Sequence, residues 1–158
     1  MKNTKTNAVR LLENAGIAFR ELPYDISDGR IDALAIAEKT ATPPEQMFKT
    51  LVTFSNKKEY FVFVVPAPAE LDLKKAAQAA GVKSIEMIPA KTLLPTTGYV
   101  HGGCSPVGMK KHFPTFVDET AQLYDFICVS AGAIGLSMAL APDDLLAFVS
   151  GSFADITK

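Results

Sequence analysis

Residues 47–65 read MFKTLVTFSNKKEYFVFVV, and this stretch decides how the centre of the chain folds. Its two halves, 47–55 and 59–65, are rich in β-branched and aromatic residues, which is typical of β-strands. The short polar segment 56–58 separates them, so we predict a β-hairpin. Both faces of the first strand are mostly apolar, which indicates a strand that is covered on both sides.

The segments on either side of this hairpin alternate irregularly between helix and strand. Apolar spacing and capping residues predict helices over about residues 6–15, 32–39, 73–80, 89–94 and 142–149. Runs of β-forming residues predict further strands over 17–24, 84–87, 115–118, 125–130, 136–140 and 153–156. This order predicts an α+β fold with a mixed sheet that can curl into a barrel. No linker or repeat divides the sequence, so we expect residues 1–158 to form a single domain.

Composition and charge exclude several classes of protein. The apolar fraction of 48% and the charged fraction of 21% are globular values and exclude a disordered tail or a collagen. Sixteen basic and seventeen acidic side chains give a net charge of −1, whereas a free-standing nucleic-acid binder is normally strongly basic. Any contact with nucleic acid must therefore come from a small local patch or be shared with a partner. No apolar run is long enough to cross a bilayer, and two cysteines fit a reducing compartment, so we expect a cytoplasmic protein with no membrane or DNA ligand.

Lys49 places a cation in the middle of an apolar strand. Burial of an unpaired ammonium is costly, so this side chain should face a cleft or find a partner. One interpretation is a cationic group aimed at an anionic or polarised ligand. The other is a strand-end lysine whose ammonium reaches water. The sequence leaves both open.

The segment 101–108, HGGCSPVG, is the sharpest local feature of the sequence. Its glycines allow positive φ angles and a close approach of the backbone to a ligand, and its N–H groups can form an anion nest or an oxyanion hole. The alternative is a tight turn. Cys104 could act as a nucleophile with His101 or His112 as its base, but a small side chain in a small-residue loop is the favoured interpretation. Neither C-x-x-C nor H-x-x-x-H occurs, so we predict no metal site.

Two further features could contribute to a site. The segment 130–135, SAGAIG, follows an apolar strand and is predicted to be a turn that could bring Ser130 to the rim of a pocket. The basic spots at 74–75 and 110–112 could contact phosphate, although such groups are more often solvated surface.

Three segments occur together at a specific spacing: FKTL at 48–51, LDLKKAA at 71–77, and TGY at 97–99 leading into the glycine-rich loop. The combination resembles the bacterial YbaK family of aminoacyl-tRNA deacylases, relatives of the editing domain inserted in bacterial prolyl-tRNA synthetase. The resemblance covers nearly the whole chain. It implies an α+β fold with a mixed, barrel-like sheet flanked by helices. It also implies release of an amino acid wrongly esterified to the terminal adenosine of tRNA, with cysteine on tRNA(Pro) or tRNA(Cys) as the substrate of the YbaK type.

The resemblance also implies roles for individual residues. The essential lysine of the family falls on Lys49, and the glycine at the reacting carbonyl falls on Gly102. The residues expected to contact the substrate are Tyr24, Thr50, Gly103, Ser105 and Ser130. The implied mechanism needs no protein nucleophile, metal or cofactor, because the thiol of the substrate attacks its own ester carbonyl. The implied partners are the acceptor end of an aminoacyl-tRNA and prolyl-tRNA synthetase.

One departure from the family pattern concerns tRNA binding. Close members carry a basic pair where this chain has Ala133 and Ile134. We therefore predict weak intrinsic affinity for tRNA, with a synthetase complex raising the effective concentration. Three alternatives stay open: a deacylase for alanyl- or another aminoacyl-tRNA, a non-catalytic module that binds tRNA or a synthetase, and a hydrolase of small esters that depends on Cys104.

Overall fold

The computed structural model describes residues 5–158, which contain five α-helices and eight β-strands. The helices are α1 (Asn7–Asn14), α2 (Ala33–Lys39), α3 (Leu73–Ala80), α4 (Leu93–Thr97) and α5 (Pro142–Val149). The strands are β1 (Phe19–Pro23), β2 (Phe48–Ser55), β3 (Tyr60–Pro66), β4 (Ile85–Met87), β5 (Thr115–Asp118), β6 (Ile127–Ala133), β7 (Leu136–Leu140) and β8 (Ser152–Ala154). The predicted α+β class is confirmed. The first four residues of the predicted domain lie outside the described residues.

The eight strands form two sheets. The first has the order β1-β7-β6 and is antiparallel. The second has the order β4-β2-β3-β5-β8, and it is mixed because β5 runs parallel to both β3 and β8. The predicted hairpin is the antiparallel β2–β3 pair, with Phe48 opposite Pro66 and Phe54 opposite Tyr60.

The mixed sheet and its flanking helices are confirmed, but the strands of residues 5–158 do not close into a barrel. An isolated parallel bridge between Met47 and Cys128 connects the start of β2 with β6. Closure would require every edge to be paired. The four edge strands, β1, β6, β4 and β8, each pair with only one neighbouring strand, so the two sheets stay open.

Both faces of the central strand β3 are buried. Val62 and Val64 belong to the largest core cluster, which also contains residues of α1 and α5. Phe63 and Val65 point to the opposite face and pack in a second cluster with α3 and Ile156. In β2, for which coverage on both sides was predicted, Phe48 and Val52 belong to the first cluster and Leu51 packs against the second, so that prediction is confirmed.

Capping residues in the sequence predict most of the helix ends that the structure shows. The side chains of Thr6, Asp32 and Asp72 each accept a hydrogen bond from a backbone N–H in the first turn of α1, α2 and α3, respectively. Gly81, with φ at +72°, ends α3. Within residues 5–158, no helix combines the length and apolar character needed to cross a membrane.

The prediction of a turn over 130–135 is wrong in its extent. Strand β6 continues to Ala133, with an irregularity in register between Ser130 and Ala133. Gly132, with φ at +98°, allows this bulge, which lets the strand bend without ending. The chain reverses direction only at residues 134–135.

Candidate functional site

A cavity of about 340 Å³ opens between helix α2, the start of β2 and the glycine-rich loop. Its walls are mostly apolar, and they include residues 31–34 and 47–51 together with Ile36, Ala67, Leu93, His101, Gly102 and Cys104. Ser130 and Ser137 complete the lining from the β6–β7 pair. The volume lies at the lower end of the range for small-molecule sites. Four of the predicted site residues meet here: Lys49, Thr50, Gly102 and Ser130.

Lys49 is half-buried in the cavity wall. Its Nζ donates a hydrogen bond to the backbone oxygen of Ala67 at 3.1 Å. Burial lowers the pKa of the Lys49 ammonium, and the negative charge of Glu70 partly opposes that shift. An ammonium has three donors, so two remain for a ligand among the contacts of residues 5–158. The side chain therefore faces a cleft, as the first of the two interpretations expects.

Thr50 presents an unpaired hydroxyl. Its Oγ1 is buried and has no hydrogen-bond partner, and it is alone in this among the buried side-chain nitrogen and oxygen atoms of residues 5–158. A buried hydroxyl without a partner costs about 1–3 kcal/mol. Because Thr50 lines the cavity, a bound ligand that pairs with this hydroxyl would recover that free energy.

The glycine-rich loop leaves several backbone N–H groups unpaired at the cavity. Gly102 has φ at +89°, and its N–H makes no hydrogen bond within residues 5–158. The N–H of Gly103 donates to the oxygen of Val100 at 3.0 Å, so it is committed to the turn. The N–H groups of His101 and Cys104, like that of Gly102, make no hydrogen bond within residues 5–158, so the loop has further donors beside Gly102 for an anion or an oxyanion.

Cys104 lines the cavity but is a poor nucleophile. Burial raises the pKa of its thiol to about 12, and a hydrogen bond with Thr97 offsets this only in part. The thiolate is the reactive form, so almost none is present at neutral pH. His101 also lines the cavity, and no hydrogen bond joins it to Cys104 within the described residues. The interpretation of Cys104 as a small loop residue is supported.

Ser137 and Asp32 are cavity residues that sequence reasoning missed. Ser137 is buried and lies directly opposite Ser130 in the register of β6 and β7. No local signal in the sequence marks Ser137, because its place opposite Ser130 depends on the register of β6 and β7. Asp32 caps α2 by accepting a hydrogen bond from the N–H of Ala35 at 2.9 Å, and it lines the cavity as well.

Tyr24, Gly103 and Ser105 are not among the residues that line the cavity. Tyr24 packs against the core cluster that contains Met47, behind the cavity wall. Ser105 is fully buried, and its Oγ accepts a hydrogen bond from the N–H of Val107 at 3.2 Å, which organises the loop. Their roles as substrate contacts stay predictions.

Tyr99 ties the glycine-rich loop to the bulge in β6. Its hydroxyl donates to the oxygen of Val107. A Cβ at Gly108 would lie 2.8 Å from the Tyr99 Oη, and a Cβ at Gly132 would lie 3.0 Å from its Cε1. Residues 108 and 132 must therefore be glycine for the Tyr99 ring to pack between them. The ring sets the distance between the glycine-rich loop and strand β6.

No group of three or more His, Cys, Asp or Glu side chains among residues 5–158 is arranged to hold a metal ion. The polar groups that reach the cavity are an ammonium, hydroxyls, a backbone N–H, an imidazole and a single carboxylate. Such a set suits recognition of a polarised carbonyl and of ribose or phosphate oxygens.

Comparison with known proteins gives consistent results. Residues 31–148 match the family model described as the aminoacyl-tRNA editing domain. A protein of Enterococcus faecalis (strain ATCC 700802 / V583), provisionally named Cys-tRNA(Pro)/Cys-tRNA(Cys) deacylase EbsC, is 46% identical over 153 residues, which cover 97% of this chain and 93% of that protein.

Two crystal structures share the fold. One, provisionally described as a trans-editing enzyme for prolyl tRNA synthetase, has a TM-score of 0.82 and 26% identity, with 99% of each chain covered. The other, of the hypothetical protein APE2540, has a TM-score of 0.88 and 18% identity, with 97% of this chain and 100% of that one covered. The family match and the 46% identical relative confirm the resemblance seen in the sequence, and the chain therefore belongs to the aminoacyl-tRNA editing domain family.

Proposed function

We propose that this protein is a trans-editing deacylase that removes cysteine from mischarged tRNA(Pro) and from Cys-tRNA(Cys). The observation that carries the proposal is a single cavity in which the half-buried Lys49 ammonium, the unpaired Thr50 hydroxyl and the free Gly102 N–H come together. The name of the 46% identical relative supports the substrate. The whole chain, residues 1–158, would act as one editing unit in the cytoplasm, where charged tRNA is used.

The reaction needs a group that stabilises charge on the ester carbonyl. Negative charge develops on that oxygen in the transition state, and a preorganised N–H donor lowers the barrier. The free Gly102 N–H would fill this role. Lys49 would hold a ribose or phosphate oxygen, or would stabilise the thiolate of the substrate. The Thr50 hydroxyl would pair with a polar atom of the ligand, while Ser130, Tyr24, Gly103 and Ser105 would complete or support the binding site.

The nucleophile would be the thiol of the esterified cysteine. Its sulfur forms a bond to its own carbonyl carbon, the ester C–O bond to the ribose breaks, and the thiol proton passes to the departing ribose oxygen. The product is a cyclic thioester that water opens to free cysteine. A thiol held next to its own carbonyl benefits from a high effective molarity, so no catalytic triad is required. The protonated state of Cys104 agrees with a nucleophile that belongs to the substrate.

The test is release of the amino acid from Cys-tRNA(Pro), Cys-tRNA(Cys) and Ala-tRNA(Pro). We expect the wild type to release cysteine rapidly and alanine slowly. Lys49→Met keeps the length of the side chain but removes its charge, and it should abolish the activity. Lys83→Ala, at an exposed position away from the cavity, is the matched control and should keep it. Rapid loss of alanine would assign a different editing specificity.

A serine ester separates the substrate-thiol route from ordinary hydrolysis. A hydroxyl is far less acidic than a thiol, so a seryl-tRNA should resist the enzyme if the side chain of the substrate is the nucleophile. Equal rates for serine and cysteine would reject this route. Absence of deacylation above the uncatalysed rate, with and without prolyl-tRNA synthetase, would leave a binding module that shares the fold.

A further inference from the structure

A second cleft of about 190 Å³ lies beyond the far end of the glycine-rich loop. It is formed by α1, α5 and the segment 106–113. Leu11, Met109, Phe113 and Phe148 give it an apolar floor. The ring of Phe113 also pairs with that of Tyr60, with centroids 5.4 Å apart, so its orientation is set by a second aromatic group.

The rim of this cleft is basic. Lys111 and His112 line it and are exposed to solvent. No acidic residue of the described part of the chain lines it, and Lys111 forms no salt bridge there. The neighbouring Lys110 does not line the cleft, and its Nζ donates to the oxygen of Pro95 at 3.2 Å. Lys111 is therefore the lysine that lines this rim.

We propose that this cleft binds a nucleotide of the single-stranded acceptor end of tRNA, upstream of the terminal adenosine. The phosphate would contact Lys111 and His112, and the base would lie against Phe113 or Phe148. Single-stranded nucleic acid is commonly held by this combination of a cationic track and aromatic platforms. This inference rests on the proposed function, because an aminoacyl-tRNA substrate supplies the single strand.

Two observations favour an RNA strand over another occupant. The chain has a net charge of −1, so a cleft lined by basic residues and by no acidic residue of the described part of the chain differs in sign from the chain as a whole. The cleft and the candidate site also lie near the two ends of one loop. Gly102 and Lys111 are nine residues apart, so the two sites are separated by no more than about 30 Å.

The first experiment compares kcat/KM for full-length Cys-tRNA(Pro) with that for 2′(3′)-O-cysteinyl-adenosine, which lacks the upstream nucleotides. Lys111→Ala should lower the ratio of the two values about two- to fivefold, as is typical of an exposed ion pair. It should also make the salt dependence for the tRNA shallower by about 0.7 in log–log slope, the effect of one phosphate contact on a single strand. Lys111→Arg should restore both, and Lys83→Ala should change neither. An unchanged ratio and slope for Lys111→Ala would overturn the inference.

The second experiment does not depend on catalysis. The tetranucleotide ACCA, with no amino acid attached, is titrated into ¹⁵N-labelled wild-type protein at low salt, and the amide chemical shifts are followed. We expect shifts at residues 109–113 in the wild type and their weakening in Lys111→Ala. Chemical-shift changes confined to the first cavity, or no changes, would refute nucleotide binding in the second cleft. A protein that shows the shifts but deacylates nothing would refute the proposed function and leave the nucleotide site standing.

Discussion

Substitution of Gly102 by alanine tests the backbone conformation of the glycine-rich loop. The φ angle of Gly102 is +89°, a conformation that side-chain-bearing residues rarely adopt. A Cβ there would lie 2.6 Å from Ile31 Cδ1 and 3.3 Å from Ile31 Cγ1. Alanine would therefore meet both a backbone penalty and a steric overlap. The overlapping group is the end of a flexible side chain, so the structure can relax by rotating Ile31.

The expected magnitude follows from these two contributions. A left-handed backbone costs about 1–2 kcal/mol for a residue with a Cβ. Pushing Ile31 out of its rotamer costs about 0.5–1.5 kcal/mol. We expect Gly102→Ala to lower the free energy of unfolding by roughly 2–3 kcal/mol, which for a domain of this length lowers Tm by about 4–12 °C.

The assay is urea denaturation of the wild type, Gly102→Ala, Ile31→Val and the double variant. Ile31→Val deletes only the Cδ1 atom that makes the closest contact, so the double variant should recover about 0.5–1.5 kcal/mol relative to additivity. The backbone penalty should remain. Wild-type stability in Gly102→Ala would refute the assigned backbone conformation. Strict additivity in the double variant would refute the contact with Ile31.

Four further predictions concern the loop, the cavity and the segment that precedes α2. Gly103→Ala should lower the free energy of unfolding, and unlike Gly102→Ala it should not be rescued by shortening a neighbouring side chain. The reason is that its Cβ would lie 2.9 Å from a backbone nitrogen of the β6–β7 turn. Urea denaturation of Gly103→Ala measures this loss of stability. Cys104, with its pKa raised to about 12, should react with iodoacetamide at pH 8 at least a hundredfold more slowly than an ordinary thiol, measured by mass spectrometry; rapid labelling would contradict its burial. The pKa of Lys49, lowered by burial, should fall below the ordinary value of about 10.4 in an NMR titration of its Nζ, so its charge is lost at lower pH than that of a solvated lysine. Lys39→Met removes three hydrogen bonds of 2.7–2.8 Å to residues 25–30, so amide exchange in that segment should accelerate while exchange in α3 stays unchanged.

Several structural elements were predictable because their signals are local. The alternation of apolar side chains in the β2–β3 hairpin, the cap at Asp72 and the positive φ at Gly81 each depend on a few neighbouring residues. The bulge in β6 was not predictable from such signals. The sequence predicts Gly132 in a turn, whereas in the structure its positive φ bends a strand that continues. The choice depends on pairing with β7, which is a contact between strands.

The candidate site was predictable in part. Family resemblance directed attention to Lys49, Thr50, Gly102 and Ser130, and the structure brings these four to one cavity. Apolar periodicity alone could say only that the lysine needed a cleft or a partner. Ser137 lacked a signal of its own, because its place in the cavity depends on its cross-strand pairing with Ser130.

By itself the sequence determined the order of helices and strands, the α+β class and, through its spaced motifs, the family. These properties depend on side-chain periodicity, capping and residue identity, all of which can be read along the chain. Only the tertiary structure decided that the strands form two open sheets, that the N–H of Gly103 is committed to Val100, and that the hydroxyl of Thr50 has no partner. Those properties depend on which distant groups satisfy or leave unsatisfied each hydrogen-bonding atom, and chain order does not specify that.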